Sequence, residues 1–151
     1  MIRPFRKDEE IEKLFPVIKT WVEECGSNGF GIDIEVTEYI NEIYKLIHLE
    51  DCDILVMELD GEILGLMGIT CYRSPIGRQR IANAHYWYTL PEHRGKGISF
   101  IFEARKWARE KECTHLILNA SNMNKFHDKV CQIYQKIGMM MFETAYIERL
   151  D

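Results

Sequence analysis

The stretch Pro91-Glu92-His93-Arg94-Gly95-Lys96-Gly97-Ile98-Ser99 decides the fold, because an apolar, aromatic-rich run stops at its front and a helical period starts at its back. Upstream, Ile81 to Leu90 reads as a long strand ended by Pro91. Downstream, Ile98, Ile101, Phe102 and Trp107-Ala108 recur at the spacing of an amphipathic helix. Such a junction leaves the backbone N–H groups of the helix's first turn unpaired and pointing outward. Gly95 and Gly97 let an anion approach those amides, and Arg94 and Lys96 set positive charge beside them. The glycine spacing is neither that of a Walker A loop nor that of the dinucleotide fingerprint. Alone, these few residues fit a solvated turn as well as a phosphate corner, so the elements around them carry the weight.

Working back from the turn, Asp53 to Leu59 and Glu62 to Tyr72 are strands joined by Asp60-Gly61, a strong two-residue hairpin signal. Arg73 to Arg80 is a polar loop. Further back, Ile2 to Phe5 reads as a short strand. Ile11, Leu14, Phe15, Ile18 and Val22 form a first helical stripe behind Asp8-Glu9-Glu10, with Gly26 as its stop. Gly26 to Asp33 is a loop, and Val36, Ile40, Ile43 and Ile47 mark a second helix. Working forward, Thr114 to Asn119 is a short strand. Phe126, Val130, Ile133, Tyr134 and Ile137 lie along a fourth helix closed by Gly138, and a last strand is expected from residue 139 or 140 to about 150. The order is strand, two helices, three strands, helix, strand, helix, strand. It predicts an α/β (α+β) fold over residues 1–151 as a single domain, with one mixed, mostly antiparallel sheet flanked by four helices.

Composition narrows the function. The 151 residues carry 19 Lys+Arg against 24 Asp+Glu, a formal charge of −5, which argues against a nucleic-acid binder that relies on a broad basic face. The longest nearly unbroken apolar run, Ile63 to Thr70, is far short of the ~20 residues that span a bilayer, and charged residues interrupt the N-terminus where a secretory signal would need an apolar core. Cys25, Cys52, Cys71, Cys113 and Cys131 lie far apart with no CxxC pair and read as reduced thiols of a cytoplasmic protein. The five histidines show no metal-ligand spacing, so no metal is expected.

With the turn set after a long strand and before a helix, a strand and a second helix, the chain resembles the GNAT superfamily of acyl-CoA-dependent N-acyltransferases. Arg94, Gly95-Lys96, Gly97, Ile98 and Ser99 match that family's Arg/Gln-x-x-Gly-x-Gly/Ala signature except at the last position. Ile133-Tyr134-Gln135-Lys136-Ile137-Gly138-Met139 is similar to its Tyr-x-Lys-x-Gly-Phe helix ending. Thr89 stands where Val or Ile is usual, Met139 replaces Phe, and only 13 residues follow Gly138. The closing sheet edge is therefore expected to be short or completed by a second subunit, as in a homodimer.

The resemblance implies fourth and fifth strands that splay apart, with acetyl-CoA as co-substrate between them. Its pyrophosphate would lie on the amides of Arg94, Gly95, Lys96, Gly97, Ile98 and Ser99. Its pantetheine arm would pair near Thr89 and Leu90, with Asn119 and Ser121 as side-chain partners and the Leu90 amide as oxyanion donor. Tyr134 would protonate the departing thiolate. An amine, on a small molecule or a peptide, would attack the thioester directly through a tetrahedral intermediate.

A lysine-like amine, with pKa about 10, must first lose a proton. The fourth strand offers no Asp or Glu, and His85 is its best-placed titratable group. Strand parity puts His85 on one face with Asn83, Trp87 and Thr89. Glu92 and His93 are nearby but belong to the turn. The missing carboxylate leaves a second reading, a CoA-binding regulatory module with little turnover. The loops Gly26 to Asp33 and Arg73 to Arg80 are expected to wall the acceptor side.

Overall fold

A computed structural model describes residues 1–150. The elements are β1 (Ile2–Pro4), α1 (Phe15–Cys25), α2 (Val36–Leu46), β2 (Cys52–Leu59), β3 (Glu62–Arg73), β4 (Arg80–Thr89), α3 (Ser99–Glu110), β5 (His115–Leu118) and α4 (His127–Lys136). Short 3-10 turns at Ile11–Leu14 and Pro91–Lys96 lead into α1 and α3. The first predicted helix thus begins as a tighter coil and becomes α-helical only at Phe15, where Pro16 suits the first turn.

The five strands lie in the order β1-β2-β3-β4-β5. All neighbours are antiparallel except β4 and β5, which run parallel through α3. The β2–β3 turn forms as expected, with Asp60 at φ 51° and Gly61 at φ 83°, the left-handed pair that a two-residue hairpin requires. Gly138 ends α4 at φ 85°, and the Met139 N–H returns 3.0 Å to the Tyr134 carbonyl.

Alternation along β2 and β3 divides the interior into two layers. Leu55, Met57, Met67 and Ile69 meet Phe100, Ala104 and Trp107 of α3 on one face. Ile54, Val56 and Leu66 meet Leu14, Val17, Ile18 and Ile43 on the other. Each fully buried Leu, Ile or Phe contributes about 1.5–3 kcal/mol, so both faces are held by packing. Trp107 Nε1 adds a 2.6 Å bond to Asp53 Oδ2, which fixes α3 against β2.

Two expectations are corrected here. The last strand does not form: residues 139–150 have neither helix nor strand geometry, and the sheet ends at β5. A β-prone segment becomes a strand only when a neighbouring strand pairs with its backbone, and among the described residues no strand pairs with this one. The parity of β4 also fails. Gly68 faces Tyr86 while Ile69 faces Ala84, so His85 is the extra residue of a β-bulge. The bulge moves Trp87 to the α3 layer with Ala82 and Ala84, and it turns Tyr86 and Tyr88 toward α1 and α2. Thr89, two residues beyond Trp87, also sits on the α3 side, against Phe100 and Gly65. His85 does not share their face; its Nε2 lies 3.0 Å from Thr70 Oγ1 across the sheet.

Candidate active site

β4 and β5 pair only from Ile81 opposite His115 to Ala84 opposite Leu118. Beyond that point β4 continues alone. Asn119 marks the fork: its Nδ2 donates to the Ala84 carbonyl and to Asn83 Oδ1, each at 2.8 Å. The Asn119 amide expected to reach for a ligand is therefore spent on holding the fork, because both its protons have partners.

The cleft opened by the fork has a volume of about 490 Å³. Its walls come from the second half of β4, the turn at Arg94–Gly97, the connector from Asn119 to Phe126, and the inner face of α4 with Val130, Ile133 and Tyr134. Tyr134 stacks near Trp87, with ring centroids 6.1 Å apart and planes inclined by 24°. Its hydroxyl donates 2.8 Å to the Asn119 carbonyl. Burial, and secondarily the nearby Cys131 thiol, push the phenol's pKa above its ordinary value.

The turn after β4 is more tightly wound than expected. The N–H of His93 closes onto the Leu90 carbonyl and that of Gly97 onto the Arg94 carbonyl, at 2.9 and 3.0 Å. The open amides at the mouth of α3 are those of Ile98 and Ser99, which meet no acceptor among the described residues. The Leu90 N–H is also taken: it donates 2.8 Å to Leu64 O, so it is not the free oxyanion donor that was expected. Backbone groups alternate along a strand, so the Thr89 N–H points the other way, into the fork. The Thr89 hydroxyl is buried on the α3 side, between Gly65 and Gly97, with no hydrogen-bond partner among the described residues.

Glycine has distinct uses at the two turn positions. A Cβ at Gly97 would meet Thr89 Oγ1 at 3.0 Å and the Arg94 carbonyl at 3.2 Å, so this residue lets the turn lie on the end of β4. A Cβ at Gly95 would meet nothing within 4 Å. Gly95 lines the cleft, so the space it leaves is open to a ligand. Arg94 turns away from α3: its guanidinium donates to Glu24 Oε1 and to Tyr88 Oη and lies 4.3 Å from the Phe126 ring centroid. Lys96 and Ser99 line a smaller hollow of about 220 Å³ beside Met1 and Ile2. His85 lines the main cleft, and burial lowers its pKa below the ordinary histidine value.

Three residues that shape the cleft escape a linear reading: Trp21, Tyr39 and Glu24. Trp21 and Tyr39 continue the apolar stripes of α1 and α2, so nothing local separates them from core. The cleft has no Asp or Glu in its walls among the described residues, and its fixed charges are Arg94 and Lys129. No group of acidic, His or Cys side chains among the described residues is placed to hold a metal.

A forked β4–β5 pair, a glycine turn at the fork and an α4 tyrosine in its wall define an acyltransferase architecture. The chain belongs to the Acetyltransferase (GNAT) family, whose profile matches residues 16–139. Among solved structures, a ribosomal-protein-alanine N-acetyltransferase from Brucella melitensis biovar Abortus 2308 superposes with a TM-score of 0.74 at 18% identity, covering 100% of this chain and 99% of that one. The tetramutant of the BH1408 protein from Bacillus halodurans gives 0.77 at 18% identity, over 99% of both chains. An aminoglycoside N-acetyltransferase, AAC(6')-Iy in complex with CoA, gives 0.73 at 14% identity, over 99% of this chain and 93% of that one. At such identities the likeness is one of fold. No curated protein sequence matches the chain.

Proposed function

We propose that this protein is an N-acetyltransferase, acting as one catalytic domain, that moves an acetyl group from acetyl-CoA to the nitrogen of an amine. The observation that carries the reading is the fork itself: a cleft that Lys129 and the Glu24-paired Arg94 line, with the unpaired Ile98 amide at one end and a tyrosine in its wall. That combination suits a polyanionic thioester. The residues present fit it on two counts: the open space above Gly95 and the free amides of Ile98 and Ser99.

Each residue then has a task. Ile98 and Ser99 N–H groups hold the diphosphate, with Gly95 giving it room and Arg94, Lys96 and Gly97 completing the turn. Thr89 N–H, in the fork, is the backbone donor nearest the end of β4 and takes the oxyanion role first assigned to Leu90. His85, whose pKa is lowered by partial desolvation, accepts the proton that the ammonium must lose before attack. Tyr134 gives its proton to the departing thiolate. Dry surroundings that lift a phenol also lift a thiolate beside it, so donor and acceptor stay matched.

The test is binding followed by turnover. Calorimetry should register acetyl-CoA, and a saturating 100-fold excess over Kd should add about 2.7 kcal/mol of stability. Free thiol should then appear only with an amine present. No interaction with any CoA species would remove the reading. Binding without thiol release across amines would favour the regulatory module, which the lack of a carboxylate in the cleft keeps in view.

A further inference from the structure

On the α1/α2 side of the sheet the cleft runs between the two helices and the outer half of β4. Trp21 of α1 stacks on Tyr39 of α2, with centroids 5.0 Å apart and planes inclined by 18°. Tyr39 meets Tyr86 of β4 edge-on, at 5.2 Å and 89°. All three rings line the cleft, as do Tyr88 and Phe126. The bulge at His85 creates this lobe, because without it Tyr86 and Tyr88 would point into the α3 layer.

The charge pattern is independent of those rings. No described Asp or Glu lines the cleft, and its two fixed charges are cationic. A polyamine or aminoglycoside entering here would strip water from several ammonium groups and find no carboxylate in the wall, since Glu24, behind it, is already paired with Arg94. Burial raises the pKa of Tyr39 and Tyr86, so both phenols stay protonated and offer O–H dipoles without charge. The ring faces do suit a flat apolar guest and a single cation, by offset or edge contacts and by cation–π attraction. Glu42 of α2 lies near enough to Tyr86 to act on its phenol, yet does not line the cleft.

Resting on the acetyl-transfer reading, we infer that the acceptor is an arylalkyl monoamine. Its ring lies against Trp21, Tyr39 and Tyr86, and its nitrogen points past His85 into the β4–β5 fork. The transfer balances without a further reactant. The amine nitrogen forms a bond to the acetyl carbon and the carbon–sulfur bond breaks. Of the three ammonium protons, one leaves through His85 to solvent, one leaves nitrogen as the intermediate collapses and replaces the proton Tyr134 gives to the thiolate, and one stays on the amide.

Thiol release by the full chain with acetyl-CoA separates the outcomes, using 2-phenylethylamine and tryptamine against spermidine and kanamycin. The arylalkyl amines should give a kcat/KM about tenfold or more above both polycations. Trp21→Ala should raise KM for 2-phenylethylamine about tenfold with acetyl-CoA affinity unchanged, and Trp21→Phe should restore it. If Tyr86→Ala does not fold, Tyr86→Leu keeps the bulk and still removes the ring, and should show the same KM effect. Equal or better turnover of spermidine or kanamycin overturns the inference and leaves acetyl transfer standing. Inert arylalkyl amines in the presence of bound acetyl-CoA also overturn it. A chain that binds no acetyl-CoA takes down the underlying reading as well, so the two failures are told apart by the calorimetry.

Discussion

The hydroxyl of Tyr134 donates to the main-chain oxygen of Asn119 over 2.8 Å, and the side chain of that same asparagine holds β4 to β5 at the fork. The residue proposed to protonate the leaving thiolate is thereby tied to the point where the strands part. Tyr134→Phe should lower kcat at least about tenfold and leave acetyl-CoA affinity nearly unchanged. It should also cost about 1 kcal/mol of stability, since the Asn119 carbonyl loses its donor. Steady-state kinetics beside a thermal melt reads both, and an unchanged kcat removes Tyr134 from the chemistry.

Gly95 and Gly97 should respond differently to the same substitution. The methyl of Gly97→Ala presses on Thr89 Oγ1 at 3.0 Å and on the Arg94 carbonyl at 3.2 Å, so these neighbours must give by a few tenths of an ångström and the melting temperature should fall. Gly95→Ala meets no protein atom within 4 Å, so the fold should keep its stability while the methyl occupies ligand space. Calorimetry should therefore show acetyl-CoA affinity reduced about tenfold or more in a Gly95→Ala protein that melts like the parent. Full affinity in that variant would mean that the diphosphate lies elsewhere.

Much of this was legible because it is local. Asp60-Gly61 and Gly138 announce their left-handed backbone by residue type, and Pro91 to Ser99 announces the change from strand to helix. The bulge at His85 is not local: Ala82 to Tyr88 reads as uninterrupted alternation. Its trace lies on the neighbouring strand, where a Cβ at Gly68 would come within 2.8 Å of the Tyr86 ring. The same holds for Trp21 and Tyr39, which become a ligand wall only once α1, α2 and the bulged strand are brought together. Residues 139–150 show the reverse: a last strand is expected there, and among the described residues no strand pairs with it.

The pH profile should follow His85. Burial lowers its pKa, so the ring is neutral, and able to accept a proton, down to a pH below the ordinary histidine value of about 6.5. As pH falls through that lowered value the base is lost, and kcat should fall with it. His85→Gln keeps a partner for Thr70 Oγ1 but accepts no proton at neutral pH, so kcat should drop by about a hundredfold and the acid limb should vanish. An acid limb that persists unchanged in this variant would place the base on another group.

Acid stability should depend on Glu9, away from the cleft. Its carboxylate takes both Nη atoms of Arg3, at 2.6 and 2.9 Å, and accepts the Arg6 N–H at 2.9 Å, while Arg3 Nε reaches Glu58 of β2 at 2.5 Å. The bond to Arg3 is the main cause that holds the Glu9 pKa down, from 4.5 to about 2. A carboxylate depressed in the folded state stabilises fully above its unfolded pKa and loses that contribution as pH falls through the folded one. Melting temperature should thus decline between pH 4.5 and about 2, as the clamp that fastens β1 to the sheet is protonated. In Glu9→Gln the difference from the parent should be on the order of 2 kcal/mol at pH 7 and close toward zero near pH 2. A difference that stays constant across that range would show that the clamp's contribution is not electrostatic.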